Sequence, residues 1–108
     1  ENNFEKIILF SAVKEKEYET MIRMLCETID AKEYILTQIE NERGVSTEEL
    51  AGVFRKYTDK KIIEEENLEK AFCMALKEKG ENDRVYCLGS LYLVGMLKEL
   101  IVGGKKHA

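Results

Sequence analysis

Continuous apolar runs and apolar stripes at helical spacing alternate along the chain. Residues 7–10 are all apolar, which predicts a strand buried on both faces of a sheet. In the next segment, residues 17–29, apolar side chains recur every three or four positions, which predicts an amphipathic helix. The same change of period repeats and predicts the remaining elements: strands at 34–37, 61–64 and 84–88, and helices that begin near 46, 67 and 90, the last ending near 102.

Start and stop signals mark two of the predicted helices. Ser46 followed by Glu49 has the form of a capping box, in which the serine caps the helix N-terminus. Asn67 is the expected cap of the following helix, which Gly80 ends. In each of the first three helices, the side chains expected to face the core lie on one stripe. These are Tyr18, Met21, Ile22, Leu25 and Ile29 in the first helix, Leu50, Val53, Phe54 and Tyr57 in the second, and Leu68, Ala71, Phe72, Ala75 and Leu76 in the third.

The alternation of strands and helices, without internal repeats, predicts an α/β fold. About four strands joined by helical crossovers form an open, mostly parallel sheet with helices on both faces. In such sheets a ligand binds beyond the carboxyl ends of the strands. This rule selects four loops for candidate functional residues, at 11–17, 37–46, 64–67 and 88–92.

The composition fits one small globular domain and narrows the class of partner. Hydrophobic residues make up 44% of the chain, which suffices for a core, and proline is absent, as in chains made mostly of regular elements. We expect a single domain over residues 1–108 with a flexible tail at 103–108. The 17 basic and 21 acidic residues give a net charge of −4, whereas proteins that bind nucleic acid or anionic membranes carry a basic excess.

Cysteine and histidine usage bears on location and metal binding. The cysteines Cys26, Cys73 and Cys87 form no CxxC pair and lie among apolar neighbours, so we expect reduced core residues and a cytoplasmic protein. His107 is the only histidine and has no partner at ligand spacing, so no metal site is expected. No apolar run approaches the roughly 18 residues of a membrane span.

The loop after the first strand alternates charges. Lys14 and Lys16 could present ammonium groups to an anionic substrate at the carboxyl end of the strand, with neighbouring acids holding them in position. Those acids, Glu15 and Glu17, could equally do no more than stabilise the positive N-terminus of the next helix.

Two further loops carry candidate anion-binding groups. Arg43 could bind a carboxylate or phosphate through two hydrogen bonds, or it could be a solvated charge beside the turn residue Gly44. Gly89 permits a tight turn after the fourth strand, and Ser90 then caps a helix whose first amides form either an anion site or a plain helix start. Gly95 within that helix indicates close packing on the sheet. The chain contains no phosphate loop of the form GxxxxGK[ST].

Three segments of the chain resemble one enzyme family. Residues 89–95, GSLYLVG, resemble the TGSLYLVGEV signature near the carboxyl end of bacterial folylpolyglutamate synthase/dihydrofolate synthase. Residues 10–18, FSAVKEKEY, are similar to the family's FGVLKDKDY, and residues 35–50 resemble its ILT, NPRA and EEL stretches in the same order. The resemblance extends from about residue 7 to residue 101.

The resemblance implies that the chain corresponds to the C-terminal α/β domain that these enzymes share with Mur ligases. The family joins L-glutamate to a dihydropteroate or folate carboxylate and hydrolyses ATP to ADP with Mg²⁺; an N-terminal domain of the same polypeptide carries the P-loop. The C-terminal domain would help to bind glutamate and nucleotide, bind no cofactor alone and be inactive alone. The residues expected to contact substrate are Lys14, Lys16, Arg43, Ser90 and Tyr92, whereas Gly89, Gly95 and Ser46 would be structural.

The chain also departs from the family pattern. Leu88 stands where the family has a threonine before Gly-Ser, and Glu15 and Glu17 replace two aspartates in the lysine loop. The family's first strand and helix, which carry the motif DGAHN, have no counterpart in these residues. Because that strand is normally central, we expect a gap in the sheet whose exposed edges favour self-association.

Two other interpretations stay open. A free-standing α/β ligand-binding or regulatory module of receiver or flavodoxin type has the same order of elements. A receiver needs an aspartate at the end of a central strand, however, where this chain has Ser11, Thr37 and Gly89. The C-terminal domain of a peptidoglycan Mur ligase is the other interpretation, and the GSLYLVG segment favours the folate family over it.

Overall fold

The computed structural model describes residues 5–14, 17–39, 43–80 and 83–88. Strands and helices alternate there as predicted, and the four strands and the first helix begin and end within one residue of their expected bounds. The elements are β1 (Lys6–Phe10), α1 (Tyr18–Thr28), β2 (Glu33–Leu36), α2 (Thr47–Tyr57), β3 (Lys61–Glu64), α3 (Leu68–Glu78) and β4 (Arg84–Leu88). The helix predicted from 90 to 102 and the tail at 103–108 lie outside the described residues.

The four strands form one parallel sheet in the order β3-β2-β1-β4. The chain therefore moves outward from β1 through β2 to β3 and then crosses back to place β4 on the other side of β1. This reversal puts the topological switch point between β1 and β4, where open α/β sheets bind ligands. The predicted open parallel sheet is confirmed.

The gap expected within the sheet is not found among the described strands. β1 pairs with β2 from Ile7 to Phe10 and with β4 from Lys6 to Phe10, so its neighbours on both sides are bonded to it directly. The expectation is wrong for this part of the chain because strand order depends on tertiary pairing, which the sequence pattern does not specify. Self-association through such a gap loses its structural basis here.

Helices cover both faces of the sheet, as predicted. Side chains alternate between faces along a strand, so Ile8 and Phe10 of β1 pack on one side while Ile7 and Leu9 pack on the other. α1 and α2 cover the first face, and α3 covers the second. The largest fully buried side chains form the centre of this core; they are Tyr34, Phe10, Phe54, Ile7, Ile8, Leu9, Ile22, Ile35, Leu36, Ile39 and Leu50.

α3 packs on the sheet through small side chains, which corrects two expectations. Ala71 and Ala75, one turn apart, are its buried residues. Leu76 follows Ala75 by about 100° around the helix and is 51% exposed, so it lies beside the core rather than in it. Cys73 lies about 200° from Ala71 and is exposed, whereas Cys26 and Cys87 are half-buried. The three cysteines are free, but they are not all core residues.

Both predicted helix caps are present. The Ser46 hydroxyl accepts a hydrogen bond from the Glu49 amide at 3.1 Å, and the Asn67 side-chain oxygen accepts one from the Lys70 amide at 2.9 Å. Each bond satisfies an amide that the helix itself leaves without an acceptor. Among the helices that the structure describes, none combines the length and apolarity of a transmembrane segment.

Candidate functional site

The carboxyl ends of the strands lie at one edge of the sheet, which we call the carboxyl edge. The loops after β1, β2 and β3 all leave from it because every strand is parallel. Phe10 pairs with Leu88, and the Ser11 amide donates to the Leu88 carbonyl at 3.4 Å. The end of β4 therefore lies beside Ser11, at the switch point.

Backbone hydrogen bonds join the loop after β1 to the loop after β2. The Lys14 amide donates to the Arg43 carbonyl at 2.8 Å, and the Val45 amide donates to the Ala12 carbonyl at 3.0 Å. Val13 and Gly44 form an antiparallel bridge between these bonds. Lys14 and Arg43 are both exposed, so the link brings the backbones of two solvent-facing cations together at the carboxyl edge.

Gly44 makes this link possible. A side chain there would place its Cβ 2.4 Å from the backbone oxygen of Ile39, far inside van der Waals contact. The obstacle is a main-chain atom, so relief requires movement of the loop itself. From the sequence Gly44 is expected only as a turn residue; its close approach to Ile39 depends on how the loop after β2 folds back on itself.

Replacing Gly44 with alanine should lower the free energy of unfolding by about 1–3 kcal/mol, the usual cost of forcing extra atoms into a packed site. Gly52 is the matched control because it lies within α2 and an added Cβ meets nothing within 4 Å. Gly52→Ala should raise the free energy of unfolding by about 0.5–1 kcal/mol through helix propensity. Urea denaturation of both variants measures the difference. Equal effects would contradict the close approach at Gly44.

The ends of α1 and α2 at the carboxyl edge are also tied together. The Tyr18 hydroxyl, in the first turn of α1, donates a hydrogen bond to the Glu49 carboxylate in the first turn of α2. This bond to an acceptor carboxylate, with smaller contributions from burial and the Glu49 charge, raises the pKa of Tyr18. Since the Glu49 amide also binds the Ser46 cap, both loops run into helices with fixed starts.

The far end of the carboxyl edge, after β3, is acidic. Glu64 accepts a hydrogen bond from the Thr47 hydroxyl at 3.2 Å, and the Glu66 carbonyl accepts one from the buried Thr37 hydroxyl at 3.3 Å. Glu65 accepts a hydrogen bond from the Asn67 amide at 3.1 Å. The carboxyl edge therefore carries charges of both signs: Lys14 and Arg43 are exposed where the first two loops meet, and carboxylates lie at the helix starts and after β3.

Ser11 is a polar group at the switch point, directly after the first strand. Its side chain is fully buried, and its hydroxyl oxygen has no hydrogen-bond partner in the part of the chain that the structure describes. Thr37, the equivalent residue after β2, is also fully buried, but its hydroxyl is satisfied by Glu66. An unpartnered buried hydroxyl is costly, so Ser11 stands out at the position where α/β sheets bind ligands.

The structure describes only part of the predicted binding set. Lys14 and Arg43 are brought together and Ser46 is a helix cap, but Lys16, Gly89, Ser90, Tyr92 and Gly95 lie outside the described residues. Within residues 5–14, 17–39, 43–80 and 83–88, no group of three or more His, Cys, Asp and Glu side chains is arranged to hold a metal ion. Burial raises the pKa of the Cys26 and Cys87 thiols, which makes them poor nucleophiles.

Solved structures of folylpolyglutamate synthases share this fold. FolC of E. coli in complex with DHPP and ADP gives a TM-score of 0.84 at 17% identity over 97% of this chain. A Mycobacterium tuberculosis folylpolyglutamate synthase complexed with ADP and AMPPCP gives 0.78 at 17% identity over 91%. A bifunctional folylpolyglutamate synthase/dihydrofolate synthase from Yersinia pestis, complexed with AMPPNP and Mn ion, gives 0.73 at 20% identity over 90%.

The chain spans about a quarter of the length of those proteins, 24%, 24% and 22% respectively. At these identities the likeness establishes the fold, and it confirms the Rossmann-like α/β domain that the sequence resemblance implied. No protein-family model matches the chain, and a search of curated proteins found no match.

Proposed function

We propose that this chain serves as the C-terminal domain of an ATP-dependent ligase that adds L-glutamate to folate or dihydropteroate. Two independent observations support the proposal. Segments 10–18, 35–50 and 89–95 resemble the folylpolyglutamate synthase family, and the described fold is that of solved folylpolyglutamate synthases. The first observation uses residue identity and the second uses backbone geometry.

The position of Lys14 beside Arg43, on two adjoining loops, is the structural observation that best supports this function. Their backbones are hydrogen-bonded at 2.8 Å, so two exposed cations emerge from neighbouring positions at the carboxyl edge. Arginine binds a carboxylate through a planar fork, and lysine adds a mobile ammonium group. Such a pair suits the carboxylate of an amino-acid substrate. Lys16, Ser90 and Tyr92 are further proposed contacts of that substrate.

The role proposed for the domain is binding and orientation rather than bond making. ATP and Mg²⁺ would be held mainly by an N-terminal domain of the same polypeptide, and the described residues of this chain offer no metal-ligand cluster. The chain also lacks a P-loop. Lys14 and Arg43 would hold the glutamate carboxylate at the carboxyl edge while the other domain supplies the phosphate chemistry. The isolated domain is therefore expected to be inactive, and the enzyme to be cytoplasmic.

A free-standing regulatory or ligand-binding module is the main competing function. A receiver of phosphate uses a carboxylate at the end of a central strand, but β1 is followed by Ser11 and β2 by Thr37. The described carboxylates of the carboxyl edge lie at the starts of α1 and α2 and after β3, and those of Glu49, Glu64 and Glu65 accept hydrogen bonds. These features favour the binding of an anion over phosphorylation of the chain.

The coding sequence around this chain tests the proposal. We expect the same reading frame to carry a nucleotide-binding domain upstream, with a GTNGKGS-type P-loop and the DGAHN motif. A reading frame that begins at Glu1 and holds neither motif would overturn the ligase proposal and leave the free-standing module.

A further inference from the structure

A buried carboxylate lies at the opposite edge of the sheet, which we call the amino edge. Glu33, the first residue of β2, is 1% exposed. One of its carboxylate oxygens, Oε2, is buried and has no hydrogen-bond partner among the described residues. A buried ionised carboxylate with an unpartnered oxygen is strongly unfavourable, so the arrangement calls for a compensating group.

The charged groups around Glu33 compensate it only in part. Lys61 of β3 places its Nζ 3.9 Å from Glu33 Oε1, but the same Nζ is closer to Glu78, at 3.4 Å, and its side chain is 58% exposed. Lys32 precedes Glu33, yet its Nζ binds Asp83 at 3.0 Å and the Glu78 carbonyl at 3.2 Å. Both lysines are therefore shared with other acceptors.

The remaining neighbour, Glu78, is a second carboxylate. Glu78 is the last residue of α3, and the Nζ of Lys61 lies within 4 Å of both carboxylates, at 3.4 Å from Glu78 and 3.9 Å from Glu33. Two ionised carboxylates repel each other and neither can donate a hydrogen bond. A single proton on Glu33 removes the repulsion and supplies the missing donor.

We propose that Glu33 and Glu78 share a proton and thereby form a pH-sensitive latch that ties the end of α3 to the amino edge of the sheet. The proton comes from solvent and binds Glu33, the more buried of the two, whose hydroxyl then donates to the Glu78 carboxylate. Lys61 stays beside the pair and balances the one remaining charge. Loss of the proton leaves two carboxylates facing each other and weakens the attachment of α3.

The latch contributes to the stability of the fold in mild acid. Burial, followed by the charge of Glu78, raises the pKa of Glu33, while Lys61 and Lys32 oppose the shift. A raised folded-state pKa stabilises the fold fully below the unfolded value, about 4.3, and this contribution is lost as the pH rises through the folded value. The latch is therefore closed in acid and opens as the pH increases.

Thermal unfolding from pH 4 to pH 8 tests the latch. Glu33→Gln supplies a permanent amide donor, so its Tm should match that of the wild type at pH 4 and exceed it by about 4 °C or more at pH 8. Glu78→Gln should also reduce the loss of Tm with rising pH. Glu69→Gln, an exposed glutamate on the same helix, is the control and should show no such divergence.

If the plots of Tm against pH for the wild type and Glu33→Gln stay parallel across this range, the latch proposal is overturned. A Tm of Glu33→Gln below that of the wild type at pH 8 would also overturn it. Carbon-13 NMR of the Glu33 carboxyl in the unmodified chain gives a test that does not depend on a variant. A midpoint above that of a solvated glutamate is expected. A midpoint at or below the ordinary glutamate value would equally overturn the proposal.

Discussion

Replacing Phe54 with alanine should lower the free energy of unfolding by about 3–5 kcal/mol. Phe54 lies on α2, is fully buried, and packs between two aromatic rings of the sheet. Its ring centroid is 5.3 Å from that of Phe10 in an edge-on arrangement and 4.7 Å from that of Tyr34. The substitution removes both ring contacts and leaves a cavity. The free energy of unfolding of such a domain is only about 5–15 kcal/mol, so the substitution should remove a large part of it. Urea denaturation measures this loss.

Leu76→Ala is the control for this prediction, because it removes a large apolar side chain that is 51% exposed. Its effect should stay within about 0.5 kcal/mol, as for surface positions in general. The two substitutions distinguish the packing between α2 and the sheet from the mere loss of apolar atoms. A similar loss of stability in both variants would contradict the placement of the core.

Replacing either Lys14 or Arg43 with methionine, one at a time in the full-length polypeptide, should weaken the glutamate binding that we propose. Each variant removes one charged hydrogen-bond donor from the pair joined across the two loops. A hydrogen bond to a charged group contributes about 1.5–3 kcal/mol, which corresponds to a rise of about tenfold or more in the KM for glutamate per residue. The KM for ATP should change far less, since the proposed function has the nucleotide held mainly by an N-terminal domain. Steady-state kinetics with each substrate varied in turn gives both values.

Arg55→Met provides the matched control for charge. Arg55 is an exposed cation in the last turn of α2, at the amino edge and away from the two loops. Its removal changes the net charge by the same amount as Lys14→Met or Arg43→Met, and the KM for glutamate should stay within twofold of wild type. Equal rises in the KM for glutamate and ATP in the Lys14 variant would show that the lysine supports the fold or the nucleotide rather than the amino acid.

The order of elements, and the meeting of the loops after the first two strands at one edge of the sheet, could both be predicted from sequence. Apolar residues at 7–10 predict a buried strand because both neighbours in the sheet and both layers of helices exclude water from it, and all four residues are indeed buried. The meeting of Lys14 and Arg43 also follows from sequence, since parallel strands place successive loops at one edge. Their shared hydrogen bond adds the detail that the loops touch through backbone atoms.

Tertiary neighbours decide what the sequence pattern leaves open. Glu33 looks like a solvated residue at the start of a strand, yet it is buried, and the lysine that pairs with it, Lys61, follows it by 28 positions in the sequence. The exposure of Leu76 depends on how closely Ala71 and Ala75 approach the sheet, and the apolar stripe alone does not reveal this distance. Strand order likewise depends on pairing, so the expected gap was wrong.

The most direct test of the central claim is an assay of the full-length polypeptide that carries this chain. ADP formation should require ATP, L-glutamate and either dihydropteroate or folate together, and the product should contain one added glutamate by mass spectrometry. The Lys14→Met variant should regain activity when the glutamate concentration is raised, but not when the ATP concentration is raised. ADP formation that is independent of glutamate, or incorporation of a different amino acid in its place, would contradict the account.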